Sequence, residues 1–286
     1  MKTASFISCC AVLLFSGCIQ TIAVRSVGGI VEDGFEALTE EQDLQLAAQA
    51  IPGNLKLLEV MLKNDLENTK LLKLVSEGYA SYALGFVEDE DPERARLFYL
   101  RARDYGLRIV RQNSQLSKAF DGSLDDWKAA LSRASKDDVP GIFWTAFAWG
   151  SYINISLTDI DAIAALPKVE AMMDFVASVD STYYYAGAHL FLGTLYGSRP
   201  KILGGDPELS RDHFETALRI TEGKFLMTHV YYAKSYAAQT LNEALFEELL
   251  STVQKTSLDV LPSFRLGNAI AKKKADLLLS KKEDYF

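Results

Sequence analysis

The chain has 286 residues, 49% hydrophobic and 24% charged, a balance that excludes the disordered class and allows one large or two small globular units. Its net charge of -8, with no long Lys/Arg block, disfavours nucleic acid and anionic lipid surfaces as partners.

The first element is an export signal. Met1-Lys2 is a short positive start, and Ala11 to Phe15 is an apolar run extended backwards by Phe6 and Ile7. Leu14-Phe15-Ser16-Gly17-Cys18 then ends in two small residues, which suit a signal peptidase, and a cysteine. This stretch resembles the lipobox of bacterial lipoproteins, with Phe15 where Leu is most usual. Residues 1–17 are therefore expected to be a signal peptide. Cys18 is expected to carry the lipid, because a thiolate is the nucleophile that takes up diacylglycerol. Residues 18–40 are expected to be a tether that can include a short helix. The cysteines are Cys9, Cys10 and Cys18. Cleavage removes two and acylates the third, leaving the body without thiol catalysis, disulfides or cysteine-bound metal. Ile19, where an Asp would retain a lipoprotein at the inner membrane, points to the outer membrane.

From Leu44 the pattern is helical almost to the end, and residues 41–286 are expected to form one all-α domain. Leu55, Leu58, Leu62 and Leu66 recur at spacings of three and four, as do Leu71, Leu74, Val75, Tyr79, Tyr82 and Phe86. Leu97, Leu100, Leu107 and Val110 repeat the pattern, and so do Leu241, Leu245, Phe246, Leu249, Leu250 and Val253. Pro52, Pro92, Pro140, Pro167, Pro200, Pro207 and Pro262 read as breaks. Gly141 to Leu157 is apolar but interrupted by Thr145, Ser151, Asn154 and Ser156, and falls short of the ~20 residues of a membrane span.

The chain also resembles itself. An offset of 115 residues pairs Asp91-Pro92-Glu93 with Asp206-Pro207-Glu208, Tyr99 with Phe214, Ala102 with Ala217 and Gly78 with Gly193. Each Asp-Pro-Glu reads as an N-cap, a proline in the first turn and an acid near the helix start. Leu192-Gly193-x-x-Tyr196 followed by Ser210-x-x-x-Phe214-x-x-Ala217 follows the tetratricopeptide logic, in which a small residue lets paired helices approach and an aromatic fills the gap. Degenerate copies lie at Ala148-Trp149-Gly150 with Phe175 and at Tyr232-Ala233 with Phe246. The predicted fold is all-α, with tetratricopeptide-like hairpins in a compact superhelical bundle.

Catalytic patterns are sparse. The histidines His189, His213 and His229 form no metal-binding spacing, and His213 reads as a surface residue. No metal, cofactor or enzymatic activity is expected, and no residue stands out as a buried acid. Gly204-Gly205-Asp206 reads as a loop and helix cap whose amides are also placed to meet an anion. The runs Glu88 to Asp91 and Lys272 to Lys274 read as solvated. The aromatics are the better clue. Phe143, Trp144, Phe147, Trp149 and Tyr152 crowd one segment, and Tyr183-Tyr184-Tyr185 opens another. Successive helical residues lie about 100° apart, so three tyrosines in a row cannot all face one core. Trp144, Tyr184 and Tyr185 are the candidates for lining a ligand cavity or pore.

Four stretches together resemble the T-component (TatT-type) lipoproteins of TRAP transporters. They are the lipobox at Cys18; Pro52-Gly-Asn-Leu-Lys-Leu-Leu-Glu59 running into Glu77-Gly-Tyr79; Asp91-Pro-Glu-Arg-Ala-Arg with Tyr99 and Ala102; and Leu203-Gly-Gly-Asp206 leading to His213-Phe214-Glu215. With Phe143 to Gly150 they cover nearly all of the mature chain. The resemblance implies a periplasmic, lipid-anchored, tetratricopeptide-like protein that partners the solute-binding subunit of a tripartite ATP-independent transporter. It also implies a pore or cleft for a small apolar or carboxylated ligand, and self-association with a trimer as the suggested form. A generic outer-membrane tetratricopeptide scaffold in envelope assembly is the alternative.

Overall fold

The computed structural model describes residues 33–286, and its elements are all helical among the described residues. Cys18 and the signal segment lie outside them. A short helix α1 spans 33–39, within the segment read as tether, and Thr39 anchors it by donating its hydroxyl to the Ser263 carbonyl at 2.9 Å. Helix α2, Leu44–Leu62, starts at Asp43, whose carboxylate accepts from the amides of Gln45 and Leu46. It buries Ala47, Leu55, Leu58 and Leu62 and runs straight through Pro52, which was expected to break it. The buried stripe and the cap hold the turns on both sides, so one missing backbone donor on the outer face is tolerated. Leu66, grouped with this stripe by its spacing, falls beyond the helix end and is exposed.

Helices α3 (Thr69–Tyr82) and α4 (Pro92–Val110) form the first long pair, α4 capped by Asp91 with Pro92 in its first turn. Short helices α5 (Ser114–Ala119) and α6 (Leu124–Leu131) lead to α7 (Val139–Asn154), which packs on α4. Helix α8 (Ile160–Ala164) connects to α9 (Leu166–Val179), which packs on α7. Then come α10 (Tyr183–Gly197) and α11 (Pro207–Thr221), another close pair, followed by α12 (Met227–Tyr231), α13 (Glu243–Lys255) and α14 (Arg265–Ser280). The aligned residues Tyr99 and Phe214 are fully buried in their respective pairs. The aligned glycines serve different contacts. A Cβ on Gly193 would press on the Phe214 ring at 3.1 Å, within the α10–α11 pair, whereas one on Gly78 would strike Leu55 of α2 at 2.5 Å. Leu97 and Leu241 leave the pattern too: Leu97 faces solvent, and Leu241 sits in a turn before α13 at φ 54°.

Two hairpins share a feature that periodicity does not reveal. Both α3 and α12 widen into π turns, Ala83–Val87 and Tyr232–Ala237, where Glu88 N donates to Ala83 O and Ala238 N to Ala233 O. Such i→i+5 turns are rare and often adjoin functional sites.

The buried side chains form two clusters. One gathers α3, α4, α6, α7 and α9; the other gathers α12, α13 and α14 with Phe214 of α11. The two charged runs read as solvated face one another across this divide. Lys274 of α14 donates to Asp89 at 2.6 Å with only 7% of its side chain exposed, and Lys273 reaches Glu90 at 3.1 Å. Glu88, from the same acidic run, accepts the hydroxyl of Tyr99.

Removing the buried partner should cost much more than removing the exposed one. Lys274→Met leaves Asp89 half-covered and unpaired and should destabilise by about 2 kcal/mol. Lys273→Ala, at an exposed pair, should stay within about 0.5 kcal/mol. Thermal unfolding of the two variants side by side checks the difference.

Candidate functional site

A pocket lies where the two clusters meet, walled by α3 with its π turn, α7, α10, α12 and α14. Its open space is about 140 Å³, close to the ~150 Å³ apolar cavities that stay dry and take up a small hydrocarbon. Phe143, Trp144 and Phe147 come from α7, Tyr184 from α10, and Phe225 and Phe264 from the segments ahead of α12 and α14. Ser81, Ser151 and Asn154 supply polar groups, and Glu88 is the one charged residue in the wall.

The α7 face is buried because nearly every residue from Gly141 to Gly150 is apolar or small, so the helix has no polar side to give to solvent. Trp144 is 1% exposed, and its indole N–H has no hydrogen-bond partner. Burying such a donor costs free energy, so its place at a pocket wall is itself informative.

The segment that brings Tyr184 in is unusual. Tyr184, Tyr185 and Ala186 all have left-handed backbone angles, with φ of 45°, 57° and 60°. This removes the premise that the three tyrosines follow ordinary helical spacing. A left-handed residue with a side chain costs roughly 1–2 kcal/mol, and three in a row are sustained only by their surroundings. Here the surroundings are aromatic. The Tyr184 ring lies 4.6 Å from Trp144 and 5.8 Å from Phe264, both edge-to-face. The Tyr185 ring stacks on Phe225 at 5.1 Å and meets Phe264 at 4.9 Å. Trp144 and Tyr184 thus stand in the pocket wall, whereas Tyr185 packs behind it in the second cluster.

Beside the turn sits an acid that sequence reasoning missed. Glu77 of α3, one helical turn before Ser81, is 12% exposed and pairs with Lys73 at 3.7 Å. Burial raises its pKa to about 7 against the opposing pull of Lys73. Burial, and then the Glu77 carboxylate, push the Tyr183 and Tyr184 hydroxyls well above their ordinary range. Glu77 lies among buried neighbours Leu74, Val75, Ser76 and Gly78, and an acid within a run of buried residues was the available signal.

The other candidates lie elsewhere. In the loop before α11, Gly204 N donates to Lys201 O, Gly205 N to Pro200 O and Asp206 N to Tyr196 O. The Asp206 carboxylate caps the amides of Glu208 and Leu209, so these groups are used within a tight turn. A Cβ on Gly205 would fall 1.8 Å from Arg199 O. His213 is half-buried instead of on the surface: its Nδ1 lies 2.9 Å from Nδ1 of His189, joining α11 to α10. Burial together with its neighbour lowers the His189 pKa to about 4. No group of three or more potential metal ligands occurs among the described residues. None of the described helices is long and apolar enough to cross a membrane.

The fold and pocket define an all-α protein built around an interior aromatic cavity. Residues 40–286 match the family described as TRAP transporter T-component, and the chain belongs to that family. It is accordingly an accessory component of a TRAP transporter, from a family of transport accessories and not of enzymes. The chain is also similar to a protein of Treponema pallidum (strain Nichols) described as "Uncharacterized protein", 26% identical over 274 residues, covering 89% of this chain and 84% of that one.

The strained turn and its acid give two expected outcomes. Ala186→Gly should stabilise by about 1 kcal/mol, because glycine adopts the left-handed region freely, while Ala186→Val should destabilise; thermal melts distinguish them. Glu77 binds its proton more tightly folded than unfolded, so it lowers stability as pH rises from its ordinary range, near 4.5, towards 7. Glu77→Gln should therefore raise the melting temperature at pH 8 and much less at pH 5, by an amount on the order of 2–3 kcal/mol at the higher pH.

Proposed function

We propose that this chain is exported, anchored through a lipid on Cys18 to the outer membrane, and works in the periplasm by docking the solute-binding subunit of its transporter while the aromatic pocket holds a small ligand. The observation that carries the reading is the pocket itself. It is a cavity walled by convergent aromatic rings from both clusters, in a chain whose family accompanies a transporter. Such pockets, mostly apolar with a few placed polar groups, are the usual form of a small-molecule site. Glu88 is the one carboxylate that lines the pocket, so the arrangement suits holding a molecule better than hydrolysing one. Trp144 and Tyr184 are the proposed contact residues, and self-association as a trimer is part of the same reading.

The soluble body, residues 19–286, immobilised and exposed to a periplasmic extract, should retain a TRAP-type solute-binding protein identified by mass spectrometry. The same pair should then associate when both are purified. Recovery of envelope-assembly proteins with no solute receptor would overturn the transport reading in favour of a general scaffold.

A further inference from the structure

We propose that the pocket selects an uncharged or cationic apolar molecule with a hydrogen-bond-donating end, and turns carboxylates away. This rests on the reading that the pocket holds a ligand, and it names the class of that ligand.

The selection is electrostatic. The lining includes eight aromatic side chains and several aliphatic and glycine positions, yet no lysine, arginine or histidine. The single charge in the wall is the Glu88 carboxylate, which accepts the Tyr99 hydroxyl and keeps further lone pairs for another donor. A second acid, Glu77, stands one turn from Ser81 on the same helix.

Most cations next to the wall are committed to other groups, and the exposed Lys234 stands with its ammonium 6.0 Å over the Tyr231 ring. Lys73 pairs with Glu77, and Lys274, one turn from Ile270, pairs with Asp89. Arg265, beside Phe264, is held by Asp259 at 2.8 Å, and Lys224, beside Phe225, by Glu222. Arg199, beside Ser198, gives its Nε–H to the Leu195 carbonyl at 3.0 Å, and the Glu170 carboxylate offsets part of the penalty of its burial.

A carboxylate entering this space would lose its water, find no counter-charge in the lining, and meet Glu88. The unpartnered indole N–H of Trp144 is a neutral donor and does not replace a cation. A hydroxyl or ammonium end suffers neither penalty and can donate to Glu88, while its apolar body takes the aromatic walls. An anion finds its counter-charge supplied by side chains in sites built for it, and that provision is missing here.

Three eight-carbon probes isolate the end group: 1-octanol, octylamine and octanoate, titrated calorimetrically at pH 7.5. The protein is the mature chain carrying Cys18→Ser, so that no acyl chain competes and every described residue is unchanged. Octanol and octylamine should bind, with octanoate at least about tenfold weaker. Glu88→Gln should cost octylamine several-fold and leave octanol nearly unchanged. Asn154→Lys, which places a cation at the exposed rim, should draw octanoate in several-fold. Leu84→Trp, which fills the cavity, should abolish binding of all three.

Octanoate binding as tightly as octanol would overturn the ligand class while leaving the pocket a ligand site. So would an octylamine affinity unmoved by Glu88→Gln. Binding of none of the probes, or octanol binding that survives Leu84→Trp, would overturn the pocket reading and the class together.

Discussion

At Tyr184 and Tyr185 the backbone turns left-handed, and two consecutive side chains enter two different cores. A continuous right-handed helix would fix these rings about 100° apart in one sense around its axis. The left-handed turn instead sends Tyr184 to Trp144 and Phe143, in the first cluster, and Tyr185 to Phe225, in the second. Phe264 touches both rings and closes the group. Aromatic pairs contribute about 0.5–1.5 kcal/mol each beyond their buried area. The contacts around these two rings are therefore numerous enough to offset a turn costing several kcal/mol. The pocket is the space left between cores that are joined by rings instead of fused by a continuous aliphatic packing.

A second joint keeps the two clusters from separating. The acidic run just past the first π turn meets the lysines of α14, and its most buried pair, Lys274 with Asp89, lies one turn from the pocket wall at Ile270. On the far side, Glu59 of α2 accepts hydroxyls from Tyr79 of α3 at 2.9 Å and Tyr105 of α4 at 3.0 Å, with Lys56 at its other oxygen. Burial alone would raise its pKa, but these donors hold it below the ordinary carboxylate value. The first helix pair is thus stiffened by a shared acid on one side while its π turn reaches the pocket on the other. A π turn is a suitable device there, because its extra residue shifts the register of the downstream backbone and turns Glu88 towards the wall.

The helices themselves were legible because amphipathic spacing and capping are local. Asp91 and Asp206 cap the helices their Asp-Pro-Glu motifs announce, and the aromatic crowd on α7 marks the segment that walls the pocket. The features that escaped notice depend on partners distant in the chain. Lys274 looks like a solvated lysine until Asp89 is brought beside it, 185 residues away in sequence. His213 looks like a surface residue until His189 faces it across a helix pair. Pro52 looks like a break because propensity is judged without the buried stripe that overrides it. Trp144 and Tyr184 could be chosen from aromatic density alone, but Tyr185 could not be separated from its neighbour, since nothing in three successive tyrosines announces a left-handed turn.

The position of the pocket at the joint has a thermodynamic consequence. A ligand touching Trp144 on one side and Phe225 on the other stabilises the arrangement in which both walls are present, by an amount set by its concentration relative to its dissociation constant. Any partner that grips surfaces of both clusters acts on the same arrangement. Coupling free energy is reciprocal, so a partner that favours this arrangement tightens the ligand, and the ligand tightens the partner by the same factor. Such a partner would then influence the pocket without contacting it. The strained turn is where such influence would be felt first, because it is the segment whose conformation depends most on the two cores being held in register.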